Sequence, residues 1–139
     1  MAMLARRDYA IAELRERLER KGFDRTVVEG TLEELIEERA LDDSRYASNY
    51  VSYHASRGQG PLRIAAELQA RGLSAALIEA ALAVGPDWQA AARALRLRKF
   101  GPEAPAEWAE KARQARFLQY RGFSSDHIRL ALGADFDLD

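Results

Sequence analysis

Apolar residues recur at every third or fourth position along most of this chain. Ile11, Leu14 and Leu18 mark one such stripe and Val28, Leu32 and Leu35 the next, which is the spacing of amphipathic helices facing a core. No stretch alternates apolar and polar residues with β-branched enrichment, so the pattern predicts no strand. The stripes are punctuated by three basic-Gly-apolar triplets: Lys21-Gly22-Phe23, Arg71-Gly72-Leu73 and Arg121-Gly122-Phe123. The glycines are fifty positions apart both times, and Asp24, Ser74 or Ser124 follows as a helix N-cap. Leu18, Leu68 and Leu118 precede them in register. Val28, Ile78 and Ile128, then Leu32, Leu82 and Leu132, follow.

The physics of one unit follows from this punctuation. A first helix ends in basic residues that suit its negative end, and Gly takes the left-handed position beyond it. The Asp or Ser then opens a second helix. First helices are predicted over 8–21, 60–71 and 107–121, and second helices over 24–39, 74–84 and 124–133. Linking helices open at Asp42-Asp43-Ser44 and at Asp87, and end near Arg57 and Phe100. Pro61 in Gly58-Gln59-Gly60-Pro61 suits a first helical turn, and 101–105 reads as a loop. The expected fold is all-α: tandem three-helix repeats of about fifty residues in an elongated, curved array. The units span 1–40, 41–85 and 86–139, the last with an acidic tail. The first lacks most of its leading helix, so either the chain is truncated at its start or that unit is short. Either case predicts an under-covered apolar face near Leu14 and Leu18, open to mobility or self-association, although a monomer is the expectation for the whole chain.

Charge changes the picture more than composition does. The 139 residues carry 21 Lys and Arg against 22 Asp and Glu, a net charge of −1 that points to no partner. Between Phe23 and Tyr50, however, eight acidic residues face three arginines, a net −5. Between Trp88 and Gly122, eight basic residues face three glutamates, a net +5. The basic set is Arg93, Arg96, Arg98, Lys99, Lys111, Arg113, Arg116 and Arg121, and it can neutralise phosphate or meet an acidic protein surface. The interleaved aromatics Trp88, Phe100, Trp108, Phe117 and Tyr120 are predicted to be mostly core.

Little else suggests chemistry. Cys is absent, which removes disulfides, thiolate metal sites and cysteine catalysis and fits a reducing cytoplasm. No apolar run suits a signal peptide or membrane span. His54 and His127 have no partners at metal-ligand spacing, and His127 shares an apolar column with Val27 and Leu77. Glu33-Glu34 and Glu37-Glu38 have the spacing of a solvated helix face, and Ser44, Ser74 and Ser124 read as caps. Gly58-Gln59-Gly60 lacks the strand and the Gly-Lys-Ser/Thr ending of a phosphate loop. No enzyme, cofactor or metal is expected.

The chain also resembles the RecX family of regulators of the RecA recombinase. The likeness begins at Leu4-Ala5-Arg6-Arg7-Asp8-Tyr9, Glu13-Leu14-Arg15 and Lys21-Gly22-Phe23. It continues through Leu41-Asp42-Asp43-Ser44-Arg45-Tyr46-Ala47 and Arg57-Gly58-Gln59-Gly60-Pro61-Leu62-Arg63-Ile64. It closes at Lys111-Ala112-Arg113, Phe117-Leu118 and Arg121-Gly122-Phe123. The resemblance spans nearly the whole chain and departs from the family at the start of the first unit. It implies three tandem three-helix units and a cytoplasmic protein that binds the RecA–DNA filament and can contact single- or double-stranded DNA. It further implies suppression of RecA's ATPase, strand-exchange and co-protease activities, and so a role in recombination, DNA repair and the SOS response. Docking along the filament groove and blocking filament growth are both compatible with it.

On this reading Arg57 and Arg63, flanking the Gly-x-Gly-Pro connection, join the eight basic residues of the third unit as contact candidates. Their structural alternative is capping a helix end or pairing with Asp42 or Asp43. Two other functions stay open: an independent DNA-binding helical regulator and a generic helical-repeat adaptor. Glu29, Glu33, Glu34 and Glu37 on a second helix would repel phosphate and argue against a helix-turn-helix reader.

Overall fold

Helix ends in this chain are set by short polar side chains and by glycine. In the computed structural model, which describes residues 8–133, Asp42, Ser74, Asp87 and Ser124 each accept a backbone N–H in the first turn that follows. Asp24 holds the same position without a side-chain hydrogen bond. Beyond the first helices the amides of Phe23, Leu73 and Phe123 reach back to Leu18, Leu68 and Leu118 at 3.2–3.3 Å. The same turn is therefore built three times, fifty residues apart, each with glycine beyond the helix end.

Eight helices and no strand result among the described residues. They are α1 (Ile11–Arg20), α2 (Arg25–Glu37), α3 (Asp43–Ser56), α4 (Pro61–Ala70), α5 (Ala75–Ala83), α6 (Trp88–Phe100), α7 (Trp108–Arg121) and α8 (Ser125–Leu132). The all-α, three-unit repeat expected from the sequence is the observed architecture. Residues 1–7, on which the expectation of a shortened first unit falls, and the acidic tail after 133 lie outside the described residues.

Helices pack side by side within each unit, and each unit has its own core. The first is built from Tyr9, Leu14, Leu18, Val28, Leu32, Leu35 and Leu41. The second centres on Val51, Ile64, Leu68 and Ile78, and the third on Ala92, Leu95, Leu118, Phe123 and Ile128. Trp88 packs against both of these cores, and its Nε1–H donates to the Leu82 carbonyl at 3.1 Å. The open face expected at Leu14 and Leu18 is not found. Both are buried, at 0% and 6% exposure, because Tyr9 before α1 and Leu41 after α2 close over them.

Neighbouring units meet through helix ends, and the same meeting occurs twice. Gly72 lies against Ala12 at the start of α1, and fifty residues on Gly122 lies against Arg63 at the start of α4. The N-terminus of α1 borrows its cap from the next unit: Asp43 accepts the Ile11 N–H at 2.9 Å, while Glu13 reaches back to the Ala10 amide at 3.4 Å. At the second joint the fit is tighter. The Gly60 and Leu62 amides donate to the Arg121 and Gly122 carbonyls at 2.7 and 2.9 Å, so the positive end of α4 faces the negative end of α7. A Cβ on Gly60 would lie 2.5 Å from the Gly122 backbone, which only glycine avoids.

Candidate interaction surface

The ten basic residues singled out in the sequence separate into distinct settings. Arg96 is 6% exposed and donates to the Gln114 Oε1 and to the Glu103 carbonyl, both at 3.3 Å. It ties the loop between α6 and α7 to α7, and enclosure removes it from the contact candidates. Arg121 is half-buried, and its guanidinium donates to the carbonyls of Arg57 at 2.6 Å and Gly58 at 3.1 Å, bridging the second and third units. Its first duty is to the joint. Lys111 is also half-buried, on α7.

A second group surrounds the ring pair Phe100–Phe117, packed edge to face at 5.4 Å. Lys99 sits 5.4 Å from the Phe117 centroid and Arg113 lies 5.0 Å from that of Phe100. Arg113 forms a two-pronged ion pair with Glu110 at 2.8 and 3.0 Å. Those bonds, helped by one from Gln114, hold the Glu110 carboxyl down at about 2. Arg113, Arg116 and Tyr120 share an exposed face of α7 by their three-to-four spacing, and Arg93 is exposed on α6.

The third group gathers at the joint. Arg57 stacks 3.8 Å over the Tyr53 ring and Arg63 lies 5.8 Å from that of Tyr120, while Arg98 reaches the Gly58 loop. Neither Arg57 nor Arg63 pairs with Asp42 or Asp43, because Asp42 caps α3 and Asp43 caps α1. Arg57, Arg63, Arg93, Arg98, Lys99 and Arg116 meet no carboxylate among the described residues. Six cations thus keep their charge available to a partner.

Sequence reasoning underrated the aromatics. Trp108 and Tyr120 are 73% and 75% exposed, so two of the five rings assigned mostly to core are surface. It also left a row on α3 without a use: Tyr46, Tyr50 and His54 are consecutive ring neighbours at 6.0 and 4.0 Å, and Tyr53 meets His54 edge to face. With Asp8, Asn49 and Arg71 these rings line a groove of about 630 Å³. The signal was present as aromatic residues four apart, but only the meeting with Arg71, which donates to the Tyr50 hydroxyl at 3.0 Å, shows that they face a groove. His127 is half-buried on α8, and among the described residues no group of three or more metal-ligating side chains assembles. No described helix is long and apolar enough to cross a membrane.

Three tandem helical units, the second and third each with three helices among the described residues, present exposed cations and rings and define an all-α helical-repeat protein. Family models for the first, second and third three-helix domains of RecX match residues 1–35, 42–82 and 87–132. The chain is 45% identical to the regulatory protein RecX of Halorhodospira halophila over 96% of its length and 84% of the relative's. It is 44% identical to that of Pseudomonas fluorescens strain Pf-5 over 99% and 90%. The chain belongs to the RecX family of regulatory proteins. Its fold is shared with the crystal structure of RecX from Lactobacillus salivarius, at a TM-score of 0.81 and 19% identity, covering 94% of this chain and 87% of that one.

Proposed function

We propose that the chain binds the RecA–DNA nucleoprotein filament in the cytoplasm and restrains RecA's recombinase, ATPase and co-protease activities. The observation that carries this reading is the polarisation of charge along an array of the RecX family. At one end α2 and its C-cap expose Glu33, Glu34, Glu37 and Glu38, and at the other Arg93, Lys99 and Arg116 stand without carboxylate partners among the described residues. A surface of opposite charges at its two ends suits a repeating partner, each end meeting a complementary patch on a different subunit. Linked helical units supply the reach, and their joints fix the spacing between patches.

Cosedimentation with preformed RecA filaments tests this reading. Arg93→Glu, Lys99→Glu and Arg116→Glu combined are expected to weaken binding at least tenfold, with the helical circular dichroism signal retained. Equal binding by the folded triple variant would contradict the placement of the third unit against the filament. The helix-turn-helix alternative gains no support from this surface, since the carboxylates of α2 would face phosphate in a major groove.

A further inference from the structure

The two joints occupy the same columns of the repeat but are not fastened alike. At the second, the Gly60 and Leu62 amides donate to the carbonyls that end α7, and Arg121 binds the carbonyls of Arg57 and Gly58. Fifty residues earlier the same columns hold Ala10 and Ala12. The Ala10 N–H turns back to Glu13, and among the described residues no backbone bond joins α1 to the end of α4. Backbone bonds fix position and angle together, so a joint without them resists turning less.

Side chains hold the first joint instead. Ala10, fully buried, enters the second core, and Ala12 rests on Gly72. The Asp43 carboxylate accepts the Ile11 N–H at 2.9 Å, where the positive end of α1 favours it. On the same helix start, Glu13 Oε2 lies 3.9 Å from the Arg71 Nε, which is buried without a hydrogen bond. A buried donor left without an acceptor is costly, and a small turn of α1 would close that gap.

The surroundings leave room for such a turn. A cleft of about 440 Å³ lies between Ile11 and Ile36 of the first unit and Leu77 of the second, against about 210 Å³ beside Leu62 and Gly122 at the second joint. The connection across the first joint also carries Arg39, which at φ 61° is the one residue other than glycine in the left-handed region among the described residues. The Arg45 guanidinium braces it by donating to the Arg39 and Ala40 carbonyls at 3.0 and 3.2 Å. Across the second joint the chain runs instead into Trp88, which is packed against both cores.

We propose that the first joint is a hinge, with Ala10 as its pivot and Asp43, Glu13 and Arg71 as its latch, while the second and third units move as one body. Latched, the joint sets the acidic face of α2 at a fixed spacing from the third unit. Released, it lets the first unit swing. The hinge is a property of the chain alone and does not rest on the filament as partner.

Distances between paired spin labels, measured by pulsed electron paramagnetic resonance on the whole chain, test it. The chain has no cysteine, so each introduced pair is unique. Glu33→Cys with Glu79→Cys spans the first joint and Glu79→Cys with Asp126→Cys the second, all at exposed positions. The first pair is expected to give a distance distribution about twice as broad as the second. Asp43→Ala is expected to broaden it further and leave the second pair unchanged. Asp43→Asn, whose amide oxygen can still accept the Ile11 N–H, is expected to restore most of the parent distribution. Should Asp43→Ala melt early, Glu13→Gln keeps the bond to Ala10, drops the charge facing Arg71, and is expected to give the same one-sided change. Equal widths at the two joints, or a folded latch variant whose first-joint distribution matches the parent's, would overturn the proposal.

Discussion

At the scale of single residues, what an arginine does here depends on what surrounds its guanidinium. Arg96 is enclosed by Gln114 and the Glu103 carbonyl, so its removal leaves buried polar atoms unsatisfied. Arg96→Ala is expected to lower stability by about 2 kcal/mol in urea unfolding, whereas the exposed Arg93→Ala is expected to stay within about 0.5 kcal/mol. Both read as members of one basic stripe in the sequence, because charge is visible there and enclosure is not. His54 is a second case. Burial among Tyr50 and Tyr53, with Arg71, Arg57 and Arg63 nearby and Glu67 opposing them, lowers its pKa from 6.5. The unfolded chain then binds a proton that the folded chain refuses. The contribution of His54 is intact above about pH 6.5 and is lost as pH falls below it. His54→Gln is expected to flatten that acid-side loss in thermal melts between pH 7 and 5. An unchanged slope would place the effect elsewhere.

At the scale of elements, the fifty-residue repeat conceals three different surroundings for one glycine column. Gly22 has nothing within 4 Å of an added Cβ, Gly72 would meet Ala12 at 2.5 Å, and Gly122 would meet the Arg63 backbone at 2.8 Å. All three take positive φ, so each alanine carries backbone strain of about 1 kcal/mol, and the two joint positions add overpacking of about 1–3 kcal/mol. Gly122→Ala is expected to destabilise most, then Gly72→Ala, then Gly22→Ala, in parallel denaturant titrations. Three equal losses would mean that the joints contribute nothing. Helix number, order and most caps were legible in the sequence, since caps and apolar spacing are local. Asp43 shows the limit: it stands in the first turn of the helix that Asp42-Asp43-Ser44 was expected to open, but its carboxylate also caps α1, thirty-two residues away. The cover over Leu14 and Leu18 was hidden for the same reason, because it comes from Tyr9 and Leu41 through tertiary folding.

At the scale of the molecule, the units form an array in which each unit has its own core, with Trp88 shared between the second and third and Ala10 reaching from the first into the second. Helix ends, glycines and single arginines set the relation of one unit to the next, so a few residues control how the charged ends are spaced. That organisation explains why the central Arg57–Ile64 motif contributes to the joint as well as to the surface: Gly60 admits the end of α7, Leu62 donates to it, and Arg57 and Arg63 flank the result. It also separates the exposed carboxylates of α2 from the exposed cations of α6 and α7, with a complete unit between them. The central claim is that this array restrains RecA. Its most direct test is RecA's ATP hydrolysis on single-stranded DNA, measured against rising concentrations of the purified chain. The account expects a saturable fall in rate. An unchanged rate with the chain in stoichiometric excess over RecA would contradict it.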